Sequence, residues 1–377
     1  MHPTSSRPGR GPDETRTGYR RRRTSRTLLT ALACLAALGC LAGLVIAKLH
    51  RSPLRPTALF WPTAWPSGTS TPAAGSITPR QLRLGAVSWP ADGASAADVS
   101  GFGVVYGPGA TRPVPIASVA KVMTAYVILH DHPLTADGSG PDIEVQPPEA
   151  AAYPSQARDG DSLVPVAAGE RLTERQALTA LLLPSADNMA WILARWDAGS
   201  QAAFAARMNA TARRLGMTGT SYTDPSGLDS STVSTAADQV RLGMAAMRVP
   251  ALAAIAAKPM AVVPVAGVVR NTNTLLGQDG IAGLKTGSTQ AAGGCVLIAA
   301  WHQASGHGTL IVAATFGQPG TAQTILPNAL QAGHNLVLTL DTALDAGAQT
   351  GSLDNSVGPP QGPGRAHDDQ KAPPAHG

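Results

Sequence analysis

The sequence predicts an α+β fold: an antiparallel sheet flanked by helices, with the middle helices gathered into a lobe of their own. Two observations carry this. The element signals run strands, helices, strands, then a last helix, not the strict alternation that builds a parallel sheet. Three late strand-like runs, "IAGLKTGST", "GCVLIAAWH" and "GTLIVAATF", are joined by short turns, as antiparallel neighbours are.

The elements follow in order. "LGAVSWP" and "SGFGVVYG" read as early strands. Helical apolar spacing then covers residues 118–130, 174–183, 189–196, 201–215 and 239–247. Thr173 and Gln176 form a capping box for the second of these. Gly216 stops the fourth, and Thr235 and Asp238 open the fifth. After the three strands, a final helix covers about residues 321–344. No internal repeat is visible.

The ends have a different composition. Residues 1–26 carry eight arginines against Asp13 and Glu14, so the basic pI of 9.4 belongs to a tail and the rest is near neutral. Nucleic-acid binding needs positive charge spread over a folded surface, so that class is excluded. Residues 27–47 contain "LLTALACLAALGCLAGLVIA", twenty residues without a charge, enough to span a bilayer. The arginines before it place residues 1–26 in the cytoplasm and the remainder outside. A cleaved signal peptide is the alternative, although no small-x-small cleavage site follows the run. Residues 48–82 are a Pro-, Ser- and Thr-rich linker. Residues 83–346 form one domain, and 347–377 lack apolar periodicity and read as a disordered tail. Cys34 and Cys40 lie in the apolar run and Cys295 stands alone, so no disulfide framework is implied. No His/Cys/Asp cluster has metal-ligand spacing, so no metal or other cofactor is expected.

Three short motifs carry chemistry. In "PVPIASVAKVMT", Ser118 and Lys121 share a face at the start of an apolar helix. The chain has five lysines, so one in a buried segment calls for a reason. An alcohol becomes a nucleophile when a base takes its proton, and a lysine can do so once burial or a nearby cation favours its neutral form. Arginine cannot, because it keeps its proton. The plainer reading is a capping serine followed by a snorkelling lysine. In "LLLPSADNMA", Ser185 offers a second hydroxyl to relay a proton, beside Asp187 and Asn188 as groups to hold a substrate amide. Its plainer reading is a helix N-cap. In "GLKTGST", Lys285, Thr286 and Gly287 lie on a strand, where glycine lets a backbone or ligand come close. In this order, S-x-x-K, S-x-N and K-T-G mark serine acyl-transferases that react with penicillin.

The segments "PVPIASVAKVMTAYVIL", "LLLPSADNMAWILARWDAGS", "AFAARMNATARRLGMTGTSYTDPSGL" and "GLKTGSTQAAGGC" resemble the low-molecular-mass penicillin-binding proteins, the serine D-alanyl-D-alanine carboxypeptidases. The resemblance covers roughly residues 85–340. It implies a β-lactamase/transpeptidase-like fold, peptidoglycan stem peptides as substrate and β-lactam antibiotics as inhibitors. The membrane is a further expected partner, through the apolar N-terminal helix. By motif, it implies Ser118 as nucleophile, Lys121 as general base and Ser185 as proton relay. Lys285 would keep the site positive, Thr286 would meet the terminal carboxylate, and the backbone N–H groups of Ser118 and Ser288 would form the oxyanion hole.

The chain departs from the family pattern in three places. Asp187 stands where the pattern has asparagine, with Asn188 one place later, and a carboxylate cannot donate as an amide does. "TFGQPGTAQTILPN" has no arginine to assist carboxylate binding. The extra C-terminal β-domain and amphipathic anchor of some relatives are not expected. A serine β-lactamase would share the motifs, but class A enzymes need a glutamate between the second and third. None follows Glu174, although Asp224, Asp229 or Asp238 could stand nearby. A Ser-His-Asp hydrolase lacks its G-x-S-x-G elbow. The reading from another class is a catalytically weak or inactive wall-binding scaffold, which Asp187 supports.

Overall fold

A computed structural model describes residues 87–353, apart from 305 and 306. The readings of residues 1–86 and 354–377, including the apolar run, lie outside the described residues.

The central sheet has five strands: β1 (Ala94–Val99), β2 (Gly103–Tyr106), β9 (Ile281–Thr289), β10 (Gly293–Ala304) and β11 (His307–Gln318). Their order is β2-β1-β11-β10-β9, and every pairing is antiparallel. Three two-stranded ribbons complete the strands: β3 (Val114–Pro115) with β6 (Val233–Ser234), β4 (Asp142–Glu144) with β5 (Arg171–Thr173), and β7 (Met260–Val263) with β8 (Gly267–Arg270).

Eight helices are described: α1 (Lys121–Asp131), α2 (Pro147–Asp159), α3 (Glu174–Leu182), α4 (Asp187–Ala198), α5 (Gln201–Arg214), α6 (Ala236–Ala246), α7 (Pro250–Ala256) and α8 (Ile325–Leu353). The continuous apolar runs of β10 and β11 follow from a sheet covered on both faces. Val296, Ile298 and Ala300 pack with Leu336, Val337 and Leu340 of α8. The alternate residues Leu297 and Ala299 join the larger core with the other helices. α1 is buried nearly all round and touches α3, α4, α5, α6 and α7, so the lobe is built around it.

Four expectations change. The early strand is not "LGAVSWP" but Ala94–Val99, whose small residues carry little strand propensity and are fixed by ladders on both sides. α2 was hidden by its prolines: Pro147 fits at the first helical position, and Pro154 sits on a helix with no fully buried residue. α7 and the β7–β8 ribbon had no sequence signal that was read. The final helix, expected over about residues 321–344, is α8 at Ile325–Leu353, and its Leu336, Val337, Leu340 and Leu344 pack on the sheet.

Candidate active site

The first motif begins on a single 3-10 turn, Ala117–Ala120, before α1. Ala117 has φ +46°, a left-handed conformation that costs a non-glycine residue strain and that clusters at functional sites. Lys121 does not snorkel: it is 0% exposed. Its Nζ lies 2.7 Å from Ser118 Oγ, 2.6 Å from Asp187 Oδ1 and 2.9 Å from the Ser226 carbonyl oxygen. These three acceptors match the three N–H donors of an ammonium.

The second motif bends between α3 and α4. The α4 N-cap is Ala186, so Ser185 is not a capping residue and its buried hydroxyl is left for another task. Ser185 also has φ +68°, the second strained non-glycine residue of the site. Asp187 is held on both sides. Its Oδ2 accepts from Ser162 N at 3.0 Å, and its own N–H donates to Ser162 O. Asn188 does not take the substrate-facing place expected of it. Its Oδ1 accepts from Val164 N and its Nδ2 donates to Val164 O, so the whole amide braces the loop before α3.

The third motif lies on β9, the edge strand nearest the nucleophile's turn. A Cβ on Gly287 would fall 2.7 Å from Ser118 N and 3.0 Å from Val119 N. Only glycine lets the strand approach the Ser118 amide, one of the two that the resemblance assigns to the oxyanion hole. Lys285 is 1% exposed and donates to the Thr286 carbonyl oxygen at 2.9 Å. Burial pushes its ammonium well below the usual lysine range, the Lys121 charge pushes the same way, and Asp187 opposes both. The three motifs therefore share one electrostatic site. Ser288 follows as an exposed residue of the same strand.

Two partners were not found from the sequence. Thr272 donates its N–H to Leu183 O at 3.0 Å, and its hydroxyl lies 2.6 Å from Thr286 Oγ1, joining the second motif to the third. Nothing in "NTNT" marks it. The Ser226 carbonyl is held in place by Asp224, whose Oδ2 accepts from Ser226 N, Gly227 N and Leu228 N. Gly227 is forced: at φ +79°, a Cβ there would strike Ala117 O at 1.9 Å.

The aspartates considered for deacylation are engaged elsewhere. Asp224 Oδ1 also accepts from Thr232 Oγ1, Asp238 holds Gly219, Thr220 and Arg241, and Asp229 accepts from Ser231. Cys295 is buried and its thiol is pushed up to about 12 by desolvation, so it packs as a small hydrophobe. Among the described residues no group of three His, Cys, Asp or Glu side chains could hold a metal ion.

A half-buried serine against a fully buried lysine, with a second serine and a lysine-bearing edge strand, defines the class of penicillin-reactive acyl-transfer folds. The chain belongs to the D-alanyl-D-alanine carboxypeptidase family, whose match spans residues 86–317. It is 36% identical over 202 residues to a D-alanyl-D-alanine endopeptidase of Pseudomonas aeruginosa, covering 52% of this chain and 62% of that one. It is 35% identical over 210 residues to a D-alanyl-D-alanine carboxypeptidase of Mycobacterium tuberculosis, covering 54% of this chain and 67% of that one. The chain spans 62% and 58% of the length of the Pseudomonas aeruginosa endopeptidase and its Escherichia coli counterpart. A Streptomyces DD-transpeptidase has the same fold, with TM-score 0.58 at 23% identity, over 68% of this chain and 100% of that one. A Listeria monocytogenes penicillin-binding protein in its ampicillin-bound form gives TM-score 0.53 at 25% identity, over 67% of this chain and 98% of that one.

Proposed function

We propose that the chain is a serine D-Ala-D-Ala carboxypeptidase that removes the terminal D-alanine from peptidoglycan stem peptides through an acyl-Ser118 intermediate. One observation carries the reading: a fully buried lysine amine 2.7 Å from a serine hydroxyl, beside a second buried lysine. The substrate's carboxylate would dock on Thr286 near Lys285, and its backbone would run along the open edge of β9. Ser118 Oγ attacks the carbonyl carbon of the penultimate D-alanine while neutral Lys121 takes the hydroxyl proton. The carbonyl oxygen gains charge against the Ser118 and Ser288 N–H groups. The C–N bond breaks, and the proton passes through Ser185 to the departing amine. Water then hydrolyses the ester, with Lys121 as base. A β-lactam would acylate Ser118 by the same first step.

The apolar run at residues 27–47 supports a single membrane anchor with the catalytic domain outside the cytoplasm. Among the described residues no helix is long and apolar enough to cross a membrane, and this run lies outside them. Protease added to intact cells should remove the domain and leave the basic tail protected.

The decisive experiment is labelling with a fluorescent penicillin. An adduct at Ser118, lost in Ser118→Ala, together with D-alanine release from a D-Ala-D-Ala peptide, is the expected result. The short Lys121–Asp187 ion pair favours a second reading, a wall-binding protein without turnover. No adduct and no D-alanine would establish that reading instead.

A further inference from the structure

The β7–β8 ribbon has a face that none of the roles above uses. Its inner residues, Val263 and Val269, are buried in the larger core. Its outer residues are bare: Met260, Val262 and Val268 are 48%, 73% and 59% exposed, and Val265 at the tip is 58% exposed. The register sets Val262 opposite Val268 and Met260 opposite Arg270, so these side chains share one face. The base of the ribbon is fixed. The Asn271 N–H donates to Pro259 O, and the next residue, Thr272, donates its N–H to Leu183 O.

Three features set this face apart from scattered surface apolar residues. Residues 259–269, "PMAVVPVAGVV", contain no polar side chain, whereas a ribbon with one wet face alternates apolar and polar. Val265 has φ +56°, a conformation that strains a β-branched residue and that glycine or asparagine would adopt freely. The tip therefore keeps an exposed apolar side chain in spite of its backbone. Finally, Lys258 and Arg270 bracket the apolar stretch at the base of the ribbon, and Arg270 is exposed. Among the described residues neither forms an ion pair. An apolar face with a basic collar complements an anionic lipid surface: the side chains enter the acyl boundary and the cations meet the phosphates.

We propose that the outer face of the β7–β8 ribbon docks on an anionic lipid bilayer. A two-stranded ribbon leaves its outer edges without ladder partners, so it fits the headgroup boundary, where water still reaches, and not the hydrocarbon interior. Residues 48–86 join the apolar run to this domain, so the contact is made within an anchored chain and can be weak. This inference rests on the proposed single-anchor reading and adds to it a second, reversible membrane contact. Thr272 links the ribbon's base to Thr286 Oγ1 at 2.6 Å, so docking would hold the third motif near the bilayer.

The test replaces Val265 of the full-length protein by the photo-crosslinker p-benzoylphenylalanine. A second sample carries it in place of Tyr106, an exposed residue of β2 at the other edge of the sheet from β9. Each is reconstituted in phosphatidylcholine vesicles with or without phosphatidylglycerol, irradiated and read by mass spectrometry. With phosphatidylglycerol present, the phospholipid adduct at position 265 should exceed that at 106 by about tenfold. It should fall about fivefold in pure phosphatidylcholine, and as far in the Lys258→Gln, Arg270→Gln double variant, because each basic residue adds attraction to an anionic surface. A lipid adduct no stronger than at 106, or a yield indifferent to lipid charge and to the double variant, would overturn the proposal. So would crosslinks to residues 58–65 or to a second copy of the chain in place of lipid. If an alkaline carbonate wash strips the chain from the vesicles, the anchor reading fails, while the adduct at 265 still decides the ribbon.

Discussion

Replacing Asp187 by asparagine tests what the Lys121 ion pair does to the chemistry. Lys121 acts as a base only after it has lost a proton, and the carboxylate 2.6 Å away favours the ammonium. At that distance Coulomb's law with an effective dielectric near 20 makes the gross attraction about 6 kcal/mol. Desolvation and the Ser162 hydrogen bond to the other oxygen offset much of it. If about 2 kcal/mol survives, the pair adds that much to the barrier for using Lys121 as a base, and its loss in Asp187→Asn should speed acylation about 30-fold, since each 1.36 kcal/mol is a factor of ten in rate. The assay is the second-order rate of Ser118 acylation by a penicillin at neutral pH. The variant should acylate faster than wild type by that factor. Its stability should fall by about 1–3 kcal/mol, because an amide cannot accept from both Ser162 N and Lys121 as two carboxylate oxygens do. An unchanged rate would refute the electrostatic argument. A slower variant would mean that Asp187 takes the proton from Lys121 and belongs to the relay.

Other outcomes follow from single contacts. Gly287→Ala should cut acylation by about 100-fold, the size of a lost oxyanion donor, while the far-ultraviolet spectrum is unchanged. Normal acylation would show that the strand can yield at Ser118 N. Thr272→Val removes the hydroxyl 2.6 Å from Thr286 Oγ1, so KM for a carboxylate-terminated peptide should rise about fivefold, and an unmoved KM would count against that orienting role. Glu174 is fully buried without a hydrogen-bond partner for either oxygen, and desolvation pushes its carboxyl up to about 7. A raised folded value means that its stability contribution is intact below about pH 4 and lost as pH rises through 7. Glu174→Gln should therefore gain about 1–2 kcal/mol over wild type at pH 8, after a discount for water screening, and nothing at pH 4. Urea midpoints at the two pH values measure this, and an equal gain at both would remove the titration argument.

Much of the site was legible because its chemistry depends on residue type and spacing. Ser118 meets Lys121, Lys285 feels the Lys121 charge, and Gly287 lies against the Ser118 amide, all from segments that their motifs mark. What the sequence hid was contact between distant segments. Asn188 looked like a spare amide, yet the Val164 peptide takes both its donor and its acceptor. Thr272 and the Ser226 carbonyl carry no side-chain signature for their tasks, since one is a common hydroxyl and the other is backbone. In the fold, the apolar runs of β9, β10 and β11 announced themselves, as did the capped helices. Ala94–Val99 did not, because its strand character comes from its neighbours' ladders and not from its own side chains. α2 failed the same reading for a local reason, prolines that a helix tolerates only at particular places.

The ammonium of Lys121 is satisfied by oxygens from positions 118, 187 and 226, three points far apart along the chain. No partly assembled structure can supply all three, and a buried cation short of its acceptors is strongly unfavourable. Covalent capture of penicillin should therefore act as a gauge of complete folding. During refolding it should appear last, with the final tertiary contacts, and under rising urea it should vanish together with the global transition rather than ahead of it.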